Sequence, residues 1–213
     1  MSNLLNAILV IVLVMNLFAL GTSRILSAIR IAGLQGALLG AIPLLVHEHL
    51  TVPVVLLSVT IAALKGALIP AIMTRALRDA QIKREVEPLI GLMPTLLLGA
   101  LATMAAIVFA GQLPLVESQK GLLLVPASIA TVLAGFILLT TRLKALSQVV
   151  GYLVLENGIF IFGMLLIEAI PFVVEMGVLL DLLVAIFVFG IIANHINQAF
   201  SSMDTRHLVS LKE

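Results

Sequence analysis

Seven runs of apolar residues, each near the length that crosses a bilayer, alternate with short polar segments along this chain. They lie near Leu4–Thr22, Ile29–Val46, Val52–Thr74, Leu89–Gly111, Leu122–Thr141, Val149–Ile170 and Phe172–His195. A helix of about 20 apolar residues spans the roughly 30 Å hydrocarbon core. None of the runs shows the period-two alternation of a membrane strand, and an unpaired strand would leave its backbone groups unsatisfied in lipid. The pattern therefore predicts an all-α integral membrane protein with seven transmembrane helices. The first run has no basic segment before it and no small-residue cleavage site after it, so it is expected to remain as a span.

The polar punctuation carries direction. Arg24 and Arg30 follow the first run, and Arg75, Arg78, Lys83 and Arg84 follow the third. Arg142 and Lys144 follow the fifth, and Arg206 and Lys212 lie in the tail. These are ten of the twelve Lys and Arg residues, and all fall on one side if the helices alternate in direction. Lys120 stands on the opposite side and Lys65 lies inside the third run. Basic loops stay in the cytoplasm, which puts the N-terminus outside and the C-terminus inside. An internal repeat at an offset of 118 aligns Thr22, Arg24, Gly33 and Gly40 with Thr140, Arg142, Gly151 and Gly158. Spans one to three would then recur as spans five to seven, in parallel orientation, with the fourth as spacer. The resulting divisions are residues 1–88 (first three-helix repeat and inner loop), 89–120 (spacer helix and outer loop), 121–200 (second unit) and 201–213 (cytoplasmic tail).

Composition narrows the function. With 62% hydrophobic and 11% charged residues and a mean hydropathy of +1.24, no soluble catalytic domain fits, and no loop is long enough to hold one. The absence of Cys excludes thiolate-held iron–sulfur clusters in this chain. No glycine-rich phosphate loop, nucleophile elbow, zinc spacing or basic–aromatic nucleic-acid pattern occurs, so neither cofactor nor nucleic acid is expected. His47, Glu48 and His49 read as a plain polar loop rather than a metal site, and the mixed-charge stretch Arg75–Glu87 as a solvated inner loop. With no Trp and a single Tyr, the interfacial aromatic belt is missing, which hints at protein neighbours around the chain.

What remains is proton or ion handling. Glu156 stands about seven residues inside the sixth run, about 10 Å deep at helical rise. A carboxylate there costs several kcal/mol unless it faces protein or water, so it is a functional candidate by default. Tyr152 and Phe160 share its helix face, Asn157 adds an amide, and Gly151 and Gly158 permit close approach of another backbone. Asp181 lies near the middle of the seventh run, with His195 near the inner end of the same face, as steps in a proton path would be. Lys65 lies at similar depth in the third run, where it either pairs with Glu156 or snorkels to the inner surface. Pro70 cannot donate to the Gly66 carbonyl, so a kink is expected beside Lys65. Glu168 and Glu175 flank Pro171 at the outer turn and read as solvated, and Gly36 and Gly40 form a close-packing pair.

Arg142-Leu-Lys144 leading into Gly151-Tyr-Leu-Val-Leu-Glu156-Asn157-Gly158 resembles the basic loop and acid-bearing second helix of the small three-helix subunit K (4L) of respiratory complex I. The seventh run, with Asp181 where that subunit usually carries Glu, resembles its third helix. A seven-helix chain with this unit at its C-terminal end looks like component E of hydrogenase-4 and the membrane arms of formate hydrogenlyases. The resemblance implies a non-catalytic subunit beside antiporter-like membrane subunits and a hydrogenase module, in a bacterial or archaeal cytoplasmic membrane. Glu156 and Asp181 would belong to a lateral chain of charged residues that couples redox chemistry to proton or sodium translocation. A subunit of a multisubunit cation/proton antiporter and a purely structural spacer are the alternatives that the same residues allow.

Overall fold

The computed structural model describes residues 2–46, 51–79, 88–114 and 121–165. Within them the chain forms α1 (Ser2–Gly21), α2 (Ile25–Gly40), α3 (Ile42–Val46), α4 (Val52–Ala63), a π-helical turn (Leu64–Leu68), α5 (Ile69–Asp79), α6 (Leu92–Ala110), α7 (Leu124–Thr141) and α8 (Ala145–Leu165). Among the described residues six spans are long and apolar enough to cross a membrane, because α2 with α3, and α4 through α5, are each continuous enough to count as one. The chain is thus an all-helical, multi-pass membrane protein. The seventh run with Asp181 and His195 lies outside the described residues. So do His47, Glu48, His49, Lys83, Arg84, Lys120, Glu168, Glu175 and the tail.

Two helices start four residues earlier than hydropathy suggests, α2 at Ile25 and α8 at Ala145. Backbone bonding, not hydrophobicity, sets these starts. Ala28 N donates to Arg24 O, and Ser147 N and Gln148 N both donate to Lys144 O at 2.9 and 3.0 Å. The Gln148 side chain reaches back to Arg142 O at 3.0 Å, giving a carbonyl at the helix junction a partner. At the far end of α2 the chain breaks at Ala41, because Pro43 lacks the N–H that Leu39 O would need. The Ser58 hydroxyl donates to the Gly40 carbonyl beside that break.

The helices are organised as two hairpins, α1–α2 and α7–α8. Each reverses through an extended arginine, Arg24 (φ −109°, ψ 121°) and Arg142 (φ −106°, ψ 135°). Three polar ties join α1 to α7. Asn6 bonds Gly121 O (2.9 Å) and Leu123 N (3.0 Å), Asn16 bonds Thr131 (2.9 Å), and Arg142 Nη2 donates to Leu20 O (2.7 Å). The partners advance along both helices together, so α1 and α7 run parallel. Leu89 N donates to Thr141 O at 2.8 Å, and Pro88 pairs with Arg142, so the segment leading to Gly91 (φ +80°) straps the α7–α8 junction before α6 begins.

Glycines bring the backbones together. A Cβ on Gly151 would lie 2.6 Å from Leu139 N, one on Gly158 2.5 Å from Val132 N, and one on Gly135 would strike the Leu155 backbone. Along α2, a Cβ on Gly36 would lie 2.5 Å from Lys65 Cβ and one on Gly40 2.8 Å from Ala62 Cβ; a Cβ on Gly66 would lie 2.7 Å from Ala37 Cβ. Without these notches the third span could not lie against α2, the kind of close approach small residues permit in lipid. Two apolar clusters fill the bundle. One holds Leu20, Ile25, Ile29, Met73, Leu138, Val150 and Val154; the other holds Leu9, Val12, Leu39, Ile42, Ala127 and Ile161. In sequence, the stretch of each hairpin helix between its two clusters carries the buried polar residues Asn16, Gln35, Thr131, Glu156 and Asn157.

Candidate functional site

The polar layer is held on five elements. Lys65 enters from the π-helical turn, which stands where a kink was expected. A π turn closes one residue later than an α turn, as in the bond from Ile69 N to Leu64 O, and such turns accommodate an interrupted ladder such as the one Pro70 causes. Gly36 lets the Lys65 backbone lie against α2, so its side chain is 6% exposed and turned inward rather than snorkelling to a surface. Lys65 Nζ lies 3.1 Å from Glu156 Oε1, 3.5 Å from Asn157 Oδ1 and 5.5 Å from the centre of the Phe160 ring. Glu156 is 2% exposed. The two charges are therefore partners.

Their depth differs from the expectation. Because α8 begins at Ala145, Glu156 is the twelfth of 21 residues, and Lys65 is the twelfth of the 25 residues Val54–Arg78. Both sit at mid-span, the costliest depth for charge. An ion pair there holds only because each group offsets the other's desolvation, and loss of one partner costs about 3–5 kcal/mol.

From the pair a chain of amides runs across the bundle. Asn157 Nδ2 donates to Gln35 Oε1 (3.1 Å), Gln35 Nε2 to Asn16 Oδ1 (2.8 Å), and Asn16 Nδ2 to Thr131 Oγ1 (2.9 Å). Thr131 Oγ1 donates in turn to Ala127 O (2.7 Å), and Gln35 Nε2 also faces Val12 O at 3.5 Å. Every member is nearly inaccessible to solvent. A buried amide in lipid must find such partners or cost several kcal/mol.

Of the residues singled out from sequence, Lys65, Glu156 and Asn157 come together. Tyr152 is half-buried one turn before Glu156 and packs against the core cluster around Leu20 and Ile25. Asp181 and His195 lie outside the described residues. Sequence reasoning missed Asn16, Gln35 and Thr131 as members of the layer; their one signal was an uncharged polar side chain deep in an apolar run. It also counted Arg142 as a loop cation. Arg142 is 2% exposed, its burial lowers its pKa from the ordinary guanidinium value, and among the described residues Nη1 finds no hydrogen-bond partner. Among the described residues no group of three or more His, Asp or Glu could hold a metal ion.

Comparison with known proteins finds several relatives. The chain is 34% identical over 190 residues to an uncharacterized protein of Mycobacterium tuberculosis, covering 87% of this chain and 85% of that one. It is 30% identical over 150 residues to hydrogenase-4 component E of Escherichia coli, covering 70% of this chain and 68% of the relative. The component E of Shigella flexneri matches to the same extent. No protein-family profile and no solved structure matches the chain.

Proposed function

The chain belongs to the hydrogenase-4 component E family, and on that footing we propose that it is a non-catalytic membrane subunit of a hydrogenase-like complex, with Lys65 and Glu156 as a proton-relay pair. The observation that carries this reading is the pair itself, two opposite charges 3.1 Å apart at the middle of their spans. A structural spacer has no need of such a pair, since apolar residues of similar volume are as stable or more so.

The mechanism is electrostatic. Lys65 and Glu156 each offset the cost of the other's buried charge. A proton delivered to Glu156, or withdrawn from Lys65, removes half of the pair and raises the cost of the charge left behind. The proton then moves on to the next group that can accept it. Tyr152 lies on the Glu156 helix face, and the proposed path continues to Asp181 and His195, which lie outside the described residues. The likeness of the Leu155-Glu156-Asn157-Gly158 stretch to the small subunit of respiratory complex I supports the same assignment. Antiporter-like subunits and a hydrogenase module, as in formate hydrogenlyase membrane arms, are the partners in this reading, and a bacterial or archaeal cytoplasmic membrane is its location.

The test uses inverted membrane vesicles containing the whole complex. Glu156→Gln is expected to leave assembly and electron transfer intact while redox-driven proton uptake disappears. Proton uptake at the wild-type rate would sink the relay.

A further inference from the structure

We propose that Thr131, Asn16 and Gln35 are positioning residues: they fix which end of the Asn157 amide faces Lys65, and so hold Lys65 and Glu156 as an ion pair. Nothing in the relay reading assigns them this role, and the inference stands apart from whether the complex translocates protons.

The argument starts at the far end of the ladder. Thr131 has one hydroxyl proton, which goes to the Ala127 carbonyl at 2.7 Å, so toward Asn16 it can only accept. Asn16 must therefore present its NH2 group to Thr131 and its oxygen to Gln35. Gln35 in turn presents NH2 to Asn16 at 2.8 Å, and its contact with the Val12 carbonyl, at 3.5 Å, is too long to fix the sense by itself. That leaves Gln35 Oε1 for Asn157, which takes it with Nδ2 and leaves Oδ1 for Lys65. All the donors point away from the ion pair, and the direction is set at the far end, where Thr131 is committed to the Ala127 carbonyl on α7.

The alternative sense would aim an NH2 group at an ammonium. Lys65 has three donors and no acceptor while protonated, so a reversed ladder would push it from its place or drive off its proton. In either case Glu156 would lose its counter-charge and, at mid-span, take up a proton. The ladder thus acts at a distance on the ionisation of Glu156 without touching it.

Infrared spectroscopy of the purified full-length chain in lipid nanodiscs tests this directly. In the wild type, the difference against Glu156→Gln should show a lost carboxylate and no protonated-carboxyl C=O stretch. Thr131→Val keeps the side-chain shape but removes the anchor. It should produce a protonated-carboxyl band equivalent to one group per chain, and adding Glu156→Gln should abolish that band. Thr131→Ser, which restores the hydroxyl, should return the wild-type spectrum, and Asn16→Leu should behave like Thr131→Val. A protonated Glu156 in the wild type would overturn the proposal, whatever the variants do. So would a Thr131→Val or Asn16→Leu spectrum identical to wild type, or a Thr131→Ser spectrum as altered as that of Thr131→Val.

Discussion

The energetic weight of Lys65 and Glu156 is best separated from that of their neighbours by a double-mutant cycle. Lys65→Met strands a buried carboxylate and Glu156→Leu strands a buried ammonium. Each is expected to destabilise the chain by about 3–5 kcal/mol, whereas the double variant should recover most of that loss. Denaturation followed by far-UV circular dichroism reads the three values, and simple additivity would refute the pairing. These two residues were legible in the sequence because an ionisable group in an apolar run is conspicuous. Their partnership was one of two open options, since a long lysine stem could equally have reached the surface. The amides Asn16 and Gln35 were not legible as a network. They carry no charge, and their register against Thr131 and Asn157 is set by how the hairpins pack.

Among the helices, glycine placement decides which backbones touch. Gly36→Ala puts a Cβ 2.5 Å from Lys65 Cβ and must push the third span off α2, at a cost of about 1–3 kcal/mol. Gly21→Ala, at the end of α1, would find only Leu96 side-chain atoms at 3.6 Å or beyond, and should be neutral or slightly stabilising. Thermal midpoints of the two variants in the same detergent check the contrast; equal shifts would mean that the α2 seam is not tight. The sequence suggested close packing at Gly36, Gly40, Gly151 and Gly158, and all four lie against a neighbouring helix. It misplaced the starts of α2 and α8 by four residues, because Ser27, Ser147 and Gln148 lower local hydropathy while still lying in the helices. The extended arginines Arg24 and Arg142, 118 positions apart and each closing a hairpin, support the parallel-repeat proposal. Its third member lies outside the described residues.

For the molecule as a whole, the proposed orientation places the N-terminus outside, and the absence of Cys makes it directly testable. A single cysteine at Leu143, which is 58% exposed at the α7–α8 junction, should react with an impermeant maleimide only in inverted vesicles. One at Gln112, exposed after α6, should react only in right-side-out vesicles. The opposite pattern would invert the topology. The placement of the polar layer between two apolar clusters has a further consequence for that experiment. Each cluster works as a stopper: a thread of water from either aqueous face would have to pass Leu20, Ile29 and Val150 on one side, or Leu9, Leu39 and Ile161 on the other. Among the described residues the layer is thus covered from above and below, and traffic with Lys65 and Glu156 is expected to enter sideways, through the rim of the bundle. Asn16→Cys should accordingly stay dark to the maleimide from both faces, and labelling from either would mean that one stopper leaks.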